Sequence, residues 1–191
     1  MIRVLLIHDT MLIRSALAVL LGGEQDLDVL TTSWRQERRP ADDWQAQVCV
    51  VDGDGEWSGL PGTAAERVVI LTEAGRPGLL RRASQADVRG FVSKDSAPER
   101  LIAGIRRVAT GERYVDEALA SDFLRAADMP LTRRELAVLA AAAEGAPVAE
   151  IAAALHLAGG TVRNYLAAVI RKTGARNRVD AIRIADSAGW L

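Results

Sequence analysis

Short apolar runs separated by amphipathic stretches fill the first half of the chain, and the end of it carries helical spacing alone. IRVLLI at 2–7, LDVLTTS at 27–33, QVCVVD at 47–52, RVVILT at 67–72 and GFVSK at 90–94 read as strands. Their nearly unbroken apolar character suits strands covered on both faces. Met11 to Leu21 repeats its apolar residues at helical spacing and stops at Gly22-Gly23, and a shorter helix spans Leu79 to Gln85. Pro98 opens a longer helix that runs to about Thr110, with Gly111 placed as its stop. Strands alternating with helices predict an α/β fold, a doubly wound parallel five-stranded sheet of flavodoxin-like layout.

Two connections are thin. RQERRPADDWQA contains Pro40 and supports one turn or two of helix. Residues 53–67 hold Gly53, Gly55, Gly59, Pro61 and Gly62, so a loop or a single turn is expected where the third helix should lie. Trp57 in that loop either caps the core left open by the reduced helix or marks a contact surface.

From about Tyr114 to Ala127 a short helix bridges the halves, and Asp128-Met129-Pro130 breaks it. Helices are then expected at 132–144, 147–154, 160–173 and 177–188, with Gly145, Gly159-Gly160 and Gly174 as stops. The organisation is thus 1–113, a linker with a short helix at 114–130, and an all-α four-helix domain at 131–191. Two helices joined by a tight glycine-containing turn are the helix-turn-helix pattern.

Composition narrows the function classes. Hydrophobic residues make up 49% of the 191, enough for a buried core, and no apolar run approaches the roughly 20 residues a membrane span needs. The opening residues lack a signal-peptide pattern, so a cytoplasmic protein is expected. Cys49 is the only cysteine, which excludes a disulfide framework and a thiolate metal cluster. The net charge of −1 hides an asymmetry: residues 128–191 carry eight Arg and Lys against six Asp and Glu, and 151–183 hold six basic residues and one acid, Asp180. That cluster alone is a weak nucleic-acid signal.

LTRRELAVL (131–139), Gly145, EIAAAL (150–155), TVRNYL (161–166), IRKTGARNR (170–178) and Ala181 resemble the LuxR-type DNA-binding domain in residue type and spacing. The resemblance implies a third helix that enters the major groove and a fourth on which two domains pair. The residues fit independently: Ile151, Ala152, Leu155, Val162, Leu166, Val169 and Ile170 form an apolar stripe. The opposite face carries Arg163, Asn164 and Ala167, with Arg171 one turn on; Arg pairs bidentately with guanine and Asn with adenine. Thr161 at the helix start suits a phosphate, as do Arg171 and Lys172, with Arg176 and Asn177 as further candidates. The family usually has His where Tyr165 stands. Val179, Ile182 and Ile184 exceed what a small core needs.

Asp9, Asp52, Thr72, Phe91 and Lys94 fall at successive strand ends, and RPGLLRRA followed by GFVSKDSAPERL strengthens the match. This half resembles the receiver domain of NarL/FixJ-type response regulators. The resemblance implies Asp52 as phosphoacceptor, Asp9 with Asp52 as an Mg²⁺ site, Thr72 and Lys94 on the phosphoryl oxygens, and Phe91 as an aromatic that changes rotamer. Here His8 replaces the first acid of the acidic pair, and DGDGEW replaces the Met-Pro that follows the acceptor. Two readings stay open: control by a sensor histidine kinase through Asp52, or a degenerate receiver kept for dimerisation and answering a small-molecule effector.

The expected function is sequence-specific transcription regulation as a homodimer on double-stranded DNA, at an inverted repeat, without a membrane and without catalysis. VVDGDG also resembles the first motif of haloacid-dehalogenase-type phosphatases, with Asp52 as nucleophile and Asp54 as general acid. That family needs another acidic motif after its lysine, whereas SKDSAPER runs straight into a helix. A regulator that sequesters another protein without touching DNA is the third reading.

Overall fold

The structure, a computed structural model, describes residues 1–35, 45–55, 67–127 and 129–191. The expected helical turns after the second strand and the reduced third helix, Trp57 included, lie outside the described residues. Six strands form one sheet: β1 (Ile2–Ile7), β2 (Leu27–Thr32), β3 (Val48–Asp52), β4 (Val68–Thr72), β5 (Gly90–Ser93) and β6 (Tyr114–Val115). All pairings are parallel, in the order β2-β1-β3-β4-β5-β6. The described helices are α1 (Met11–Gly22), α2 (Pro77–Gln85), α3 (Pro98–Ala109), α4 (Ala120–Ala127), α5 (Arg133–Ala143), α6 (Val148–Ala154), α7 (Gly159–Thr173) and α8 (Arg178–Ser187).

The doubly wound layout is as expected, and β6 adds one strand to the five. Two residues carry too little pattern to be read as a strand; pairing makes them one, as Tyr114 donates its N–H to Arg89 O and Asp116 donates to Phe91 O. Asp116, buried, accepts from Ser93 N–H, and Leu119 is fully buried. Tyr114 and Val115, expected in the linker, therefore complete the sheet, and a short 3-10 turn at Glu117–Leu119 packs beside it. The chain divides into two compact units, one of Met1–Ala74 with Leu80–Phe123, the other of Gly75–Leu79 with Leu124–Leu191.

Val48 to Val51 are buried on both sheet faces, which explains why the sequence there is a continuous apolar run rather than an alternating one. Cys49 sits in this run, and burial pushes its thiol up to about 12, so it is an inert core residue. The sheet reverses direction of winding between β1 and β3; Asp9 lies just past the carboxyl end of β1 and Asp52 is the last residue of β3. Ligands of such folds bind at that switch point.

The C-terminal helices pack around two linked clusters, Val138, Ala142, Ile151, Val162 and Leu166 in one, and Leu131, Leu139, Val169, Ala181 and Ala185 in the other. Thr132 caps α5 through a reciprocal box: its hydroxyl accepts from Glu135 N–H while Glu135 Oε2 accepts from Thr132 N–H. Gly174 ends α7 at φ 68, a left-handed conformation that lets Ala175 N–H reach back to Ile170 O.

Candidate DNA-binding face and receiver pocket

α7 is sorted into two faces. Val162, Leu166 and Val169 are buried, while Arg163, Asn164, Ala167 and Arg171 are exposed. The buried set recurs at three- and four-residue steps, so it forms one stripe that locks α7 onto α5 and α6. The exposed set forms the opposite stripe, presenting a guanidinium, a carboxamide, a methyl group and a second guanidinium in sequence along the axis. Thr161 lies in the first turn, half-buried, behind Gly159 and Gly160. The N-cap residue Ala158 offers no capping side chain, so the first amides of α7 lack a side-chain acceptor. With the helix dipole behind them, these amides are a fitting seat for a phosphate oxygen.

Lys172 departs from the expectation of a phosphate contact. Its ammonium lies 2.8 Å from Glu135 Oε2, and Glu135 is buried beneath the capping box. Burial favours the protonated acid, but the Lys172 ammonium and the Thr132 amide and hydroxyl outweigh it and hold Glu135 below the usual carboxylate range. The lysine thus ties the end of α7 to the start of α5. Asn177 likewise is an N-cap: its side chain accepts from Asp180 N–H at 2.9 Å. Arg176 donates from its backbone N–H and its Nε to Asp180 Oδ2, and Arg183 donates to Oδ1 at 3.0 Å. Arg178 closes the end of α5 by donating to Ala142 O and Ala146 O. Of the three surplus apolar residues of α8, Ile182 packs on both clusters, Ile184 is half-buried and Val179 stands 74% exposed. Tyr165 leans on the core with part of its ring in solvent.

The Asp180 cluster carries a pH consequence. The Arg176 amide, then the guanidinium groups of Arg176 and Arg183, hold the Asp180 carboxyl well below its usual range. Glu135 is displaced in the same direction. A depressed carboxylate contributes stability above its unfolded pKa and loses it as the pH falls through the folded value. Thermal melting of the full chain is therefore expected to fall steeply below about pH 4. Asp180→Asn should melt lower at neutral pH and decline less steeply on acidification; identical slopes for the two proteins would rule the cluster out as a cause.

At the carboxyl end of the sheet, His8, Asp52 and Lys94 meet. His8 Nε2 lies 2.9 Å from Asp52 Oδ2, and Lys94 Nζ lies 2.8 Å from Asp52 Oδ1. Asp54 N–H also donates to Asp52 Oδ1 at 3.1 Å, and Lys94 Nζ stands 3.6 Å from Asp54 Oδ2. Thr10 N–H donates to His8 Nδ1 at 3.0 Å, which makes that nitrogen an acceptor and assigns the neutral ring's proton to Nε2. His8 is therefore a fixed donor to Asp52. Asp9 does not join this group through any described contact: its Oδ1 accepts from Trp34 N–H at 2.9 Å, and Arg35 Nε is 3.7 Å from Oδ2. Thr72 is buried and donates its hydroxyl to Glu73 O at 3.2 Å. Phe91 is fully buried, edge-on to Phe123 at 4.9 Å and 86°, with the Arg113 guanidinium over both rings.

Mg²⁺ demands an octahedral shell of oxygen ligands at roughly 2.0–2.1 Å. Asp52 instead meets an imidazole N–H, an ammonium and an amide N–H, all of which oppose a cation. Among the described residues no group of three or more His, Cys, Asp and Glu could hold a metal ion. The residues at this sheet edge do not fit Mg²⁺, chiefly because His8 supplies a donor where a second carboxylate would be required.

The luxR family of bacterial regulatory proteins matches residues 129–185. The response regulator RamR of Streptomyces coelicolor is 48% identical across all of this chain and 98% of its own length. The transcriptional regulatory protein DesR of Bacillus subtilis is 36% identical across the whole of both chains. The solved structure of a complex of the two-component response regulator RcsB with DNA shares the fold, at 19% identity and a TM-score of 0.61, over 97% of this chain and 98% of that one. Among the described residues no helix is long and apolar enough to cross a membrane. Its full-length likeness to RamR and DesR, joined to this geometry, means that the chain belongs to the LuxR-type response regulators, transcriptional regulators with a receiver-like α/β domain and a helix-turn-helix domain.

Proposed function

We propose that the protein binds double-stranded DNA as a homodimer, each copy setting α7 into the major groove of one half of an inverted repeat. The observation that carries this reading is the exposed stripe of Arg163, Asn164, Ala167 and Arg171 on a helix whose other side is locked into a core. Arg163 suits the O6 and N7 of guanine, Asn164 the N6 and N7 of adenine, and Ala167 the methyl of thymine. Arg171, Thr161 and the free amides at the start of α7 suit phosphates, which set register rather than sequence. Val179 on α8 is the apolar group available for pairing two copies. Lys172 assists by fixing α7 on α5, with its charge near the backbone as a secondary contribution.

The receiver-like unit governs dimerisation and acts in the cytoplasm, where the DNA is. Kinase control through Asp52 is the weaker form of this reading, because both oxygens of that carboxylate already have donors. The same occupancy works against Asp52 as a phosphatase nucleophile, and the relatives support neither that reading nor sequestration of a protein partner. Selection of bound DNA from a random pool tests the proposal. An inverted repeat with half-site centres about 10 base pairs apart is expected. A pool that stays unenriched would end it.

A further inference from the structure

A cavity of about 340 Å³ opens in the receiver-like unit beside His8 and Lys94. Its apolar lining comes from Ile13, Leu17 and Leu20 on α1 and from Leu71, Val92 and Leu101. Leu71, Val92 and Leu101 are buried, whereas Ile13 is 45% exposed and sits where solvent enters. The volume lies within the range of small-molecule sites, which are mainly apolar with a few placed polar groups. Here those groups are basic or neutral: among the described residues, no Asp or Glu lines the space.

The donor count at Lys94 gives the cavity a polarity. An ammonium has three N–H bonds. One reaches Asp52 at 2.8 Å, while Asp54 at 3.6 Å is an ion-pair neighbour beyond hydrogen-bond reach, which leaves donor capacity for another acceptor. His8 has none left, since Nδ1 takes the Thr10 amide and Nε2 serves Asp52. Ala97, the N-cap of α3, lines the same space and makes no side-chain cap bond, so the positive end of that helix adds to the field. An oily chamber with one cationic donor at its edge selects an oily molecule with one anionic head.

We propose that this cavity binds a small amphipathic carboxylate, its hydrocarbon part in the apolar chamber and its head group on the Lys94 ammonium. The same ammonium holds Asp52 Oδ1, so a second carboxylate on its remaining N–H shares the positive charge that Asp52 now has and loosens the His8–Asp52–Lys94 cluster. That coupling to regulation rests on the reading of the receiver-like unit as the controlling one; binding itself does not.

Calorimetry on the full chain with decanoate, decan-1-ol and decylamine, each below its micelle concentration, tests the assignment. Decanoate is expected to bind saturably at one site per chain, the alcohol at least tenfold more weakly, and the amine not at all. Ile13→Trp, a change at the open rim, should abolish decanoate binding and leave ligand-free operator affinity as it was. Lys94→Met should reduce decanoate to the alcohol's affinity. Absence of saturable decanoate binding by the wild type overturns the site, as does an amine that binds as tightly as the acid, or an Ile13→Trp protein that binds decanoate normally. A decanoate complex whose operator affinity is unchanged overturns the coupling alone, and loss of all operator binding speaks against the DNA reading and not against the cavity.

Discussion

Arg163→Ala is expected to weaken binding to the selected operator by about 1–3 kcal/mol, about 5- to 150-fold, and to relax base preference at one position in each half-site. The size follows from what a bidentate guanidinium–guanine pair contributes to discrimination. Because Arg163 is exposed on a helix anchored by Val162, Leu166 and Val169, its removal should leave melting within about 0.5 kcal/mol of the wild type. The loss is therefore one of recognition. Lys172→Ala gives the contrasting result, since it strips the ammonium from buried Glu135 and should lower the melting temperature first. Unchanged affinity of Arg163→Ala for the native operator would remove α7 from the groove.

The second large effect concerns Asp52. Wild-type protein incubated with Mg²⁺ and a small phosphodonor is expected to show no phosphoryl increment by intact mass. A receiver aspartate attacks as a free carboxylate beside a divalent cation; here the His8 Nε2–H, the Lys94 ammonium and the Asp54 amide hold both oxygens. The Thr10 amide on Nδ1 keeps the ring from turning that nitrogen's lone pair to a metal. His8→Asp reverses each point at once: a donor becomes an acceptor and a second negative charge favours Mg²⁺. That variant should take up Mg²⁺ and gain the phosphoryl mass. Stoichiometric labelling of the wild type would show that His8 moves aside and that the carboxylate is available after all.

The elements were legible because each was a local pattern. The runs at 2–7, 48–52 and 68–72 are almost wholly apolar, as suits strands buried on both faces, and the breaks at Gly111 and Gly174 fall where the chain turns left-handed. The two faces of α7 follow from spacing alone. What escaped reading depends on pairs distant in sequence. Lys172 looked like a phosphate contact because its partner, Glu135, is 37 residues earlier. The spacing Thr132-x-x-Glu135 is that of a capping box, a signal that went unread and that would have placed Glu135 at a helix start. β6 exists only through its pairing with β5, and the donor role of His8 is set by a backbone amide that no side-chain pattern encodes.

The aromatic packing at the far end of β5 limits how a signal can leave the sheet. Phe91 packs against the Phe123 ring with the Arg113 guanidinium over both, and close-packed interiors do not deform smoothly. Turning the first ring requires the second to yield. Phe123 belongs to α4 and is the last residue of the first unit. A rotation of Phe91 is thus felt at the first turn of α4, as a shift of the second ring.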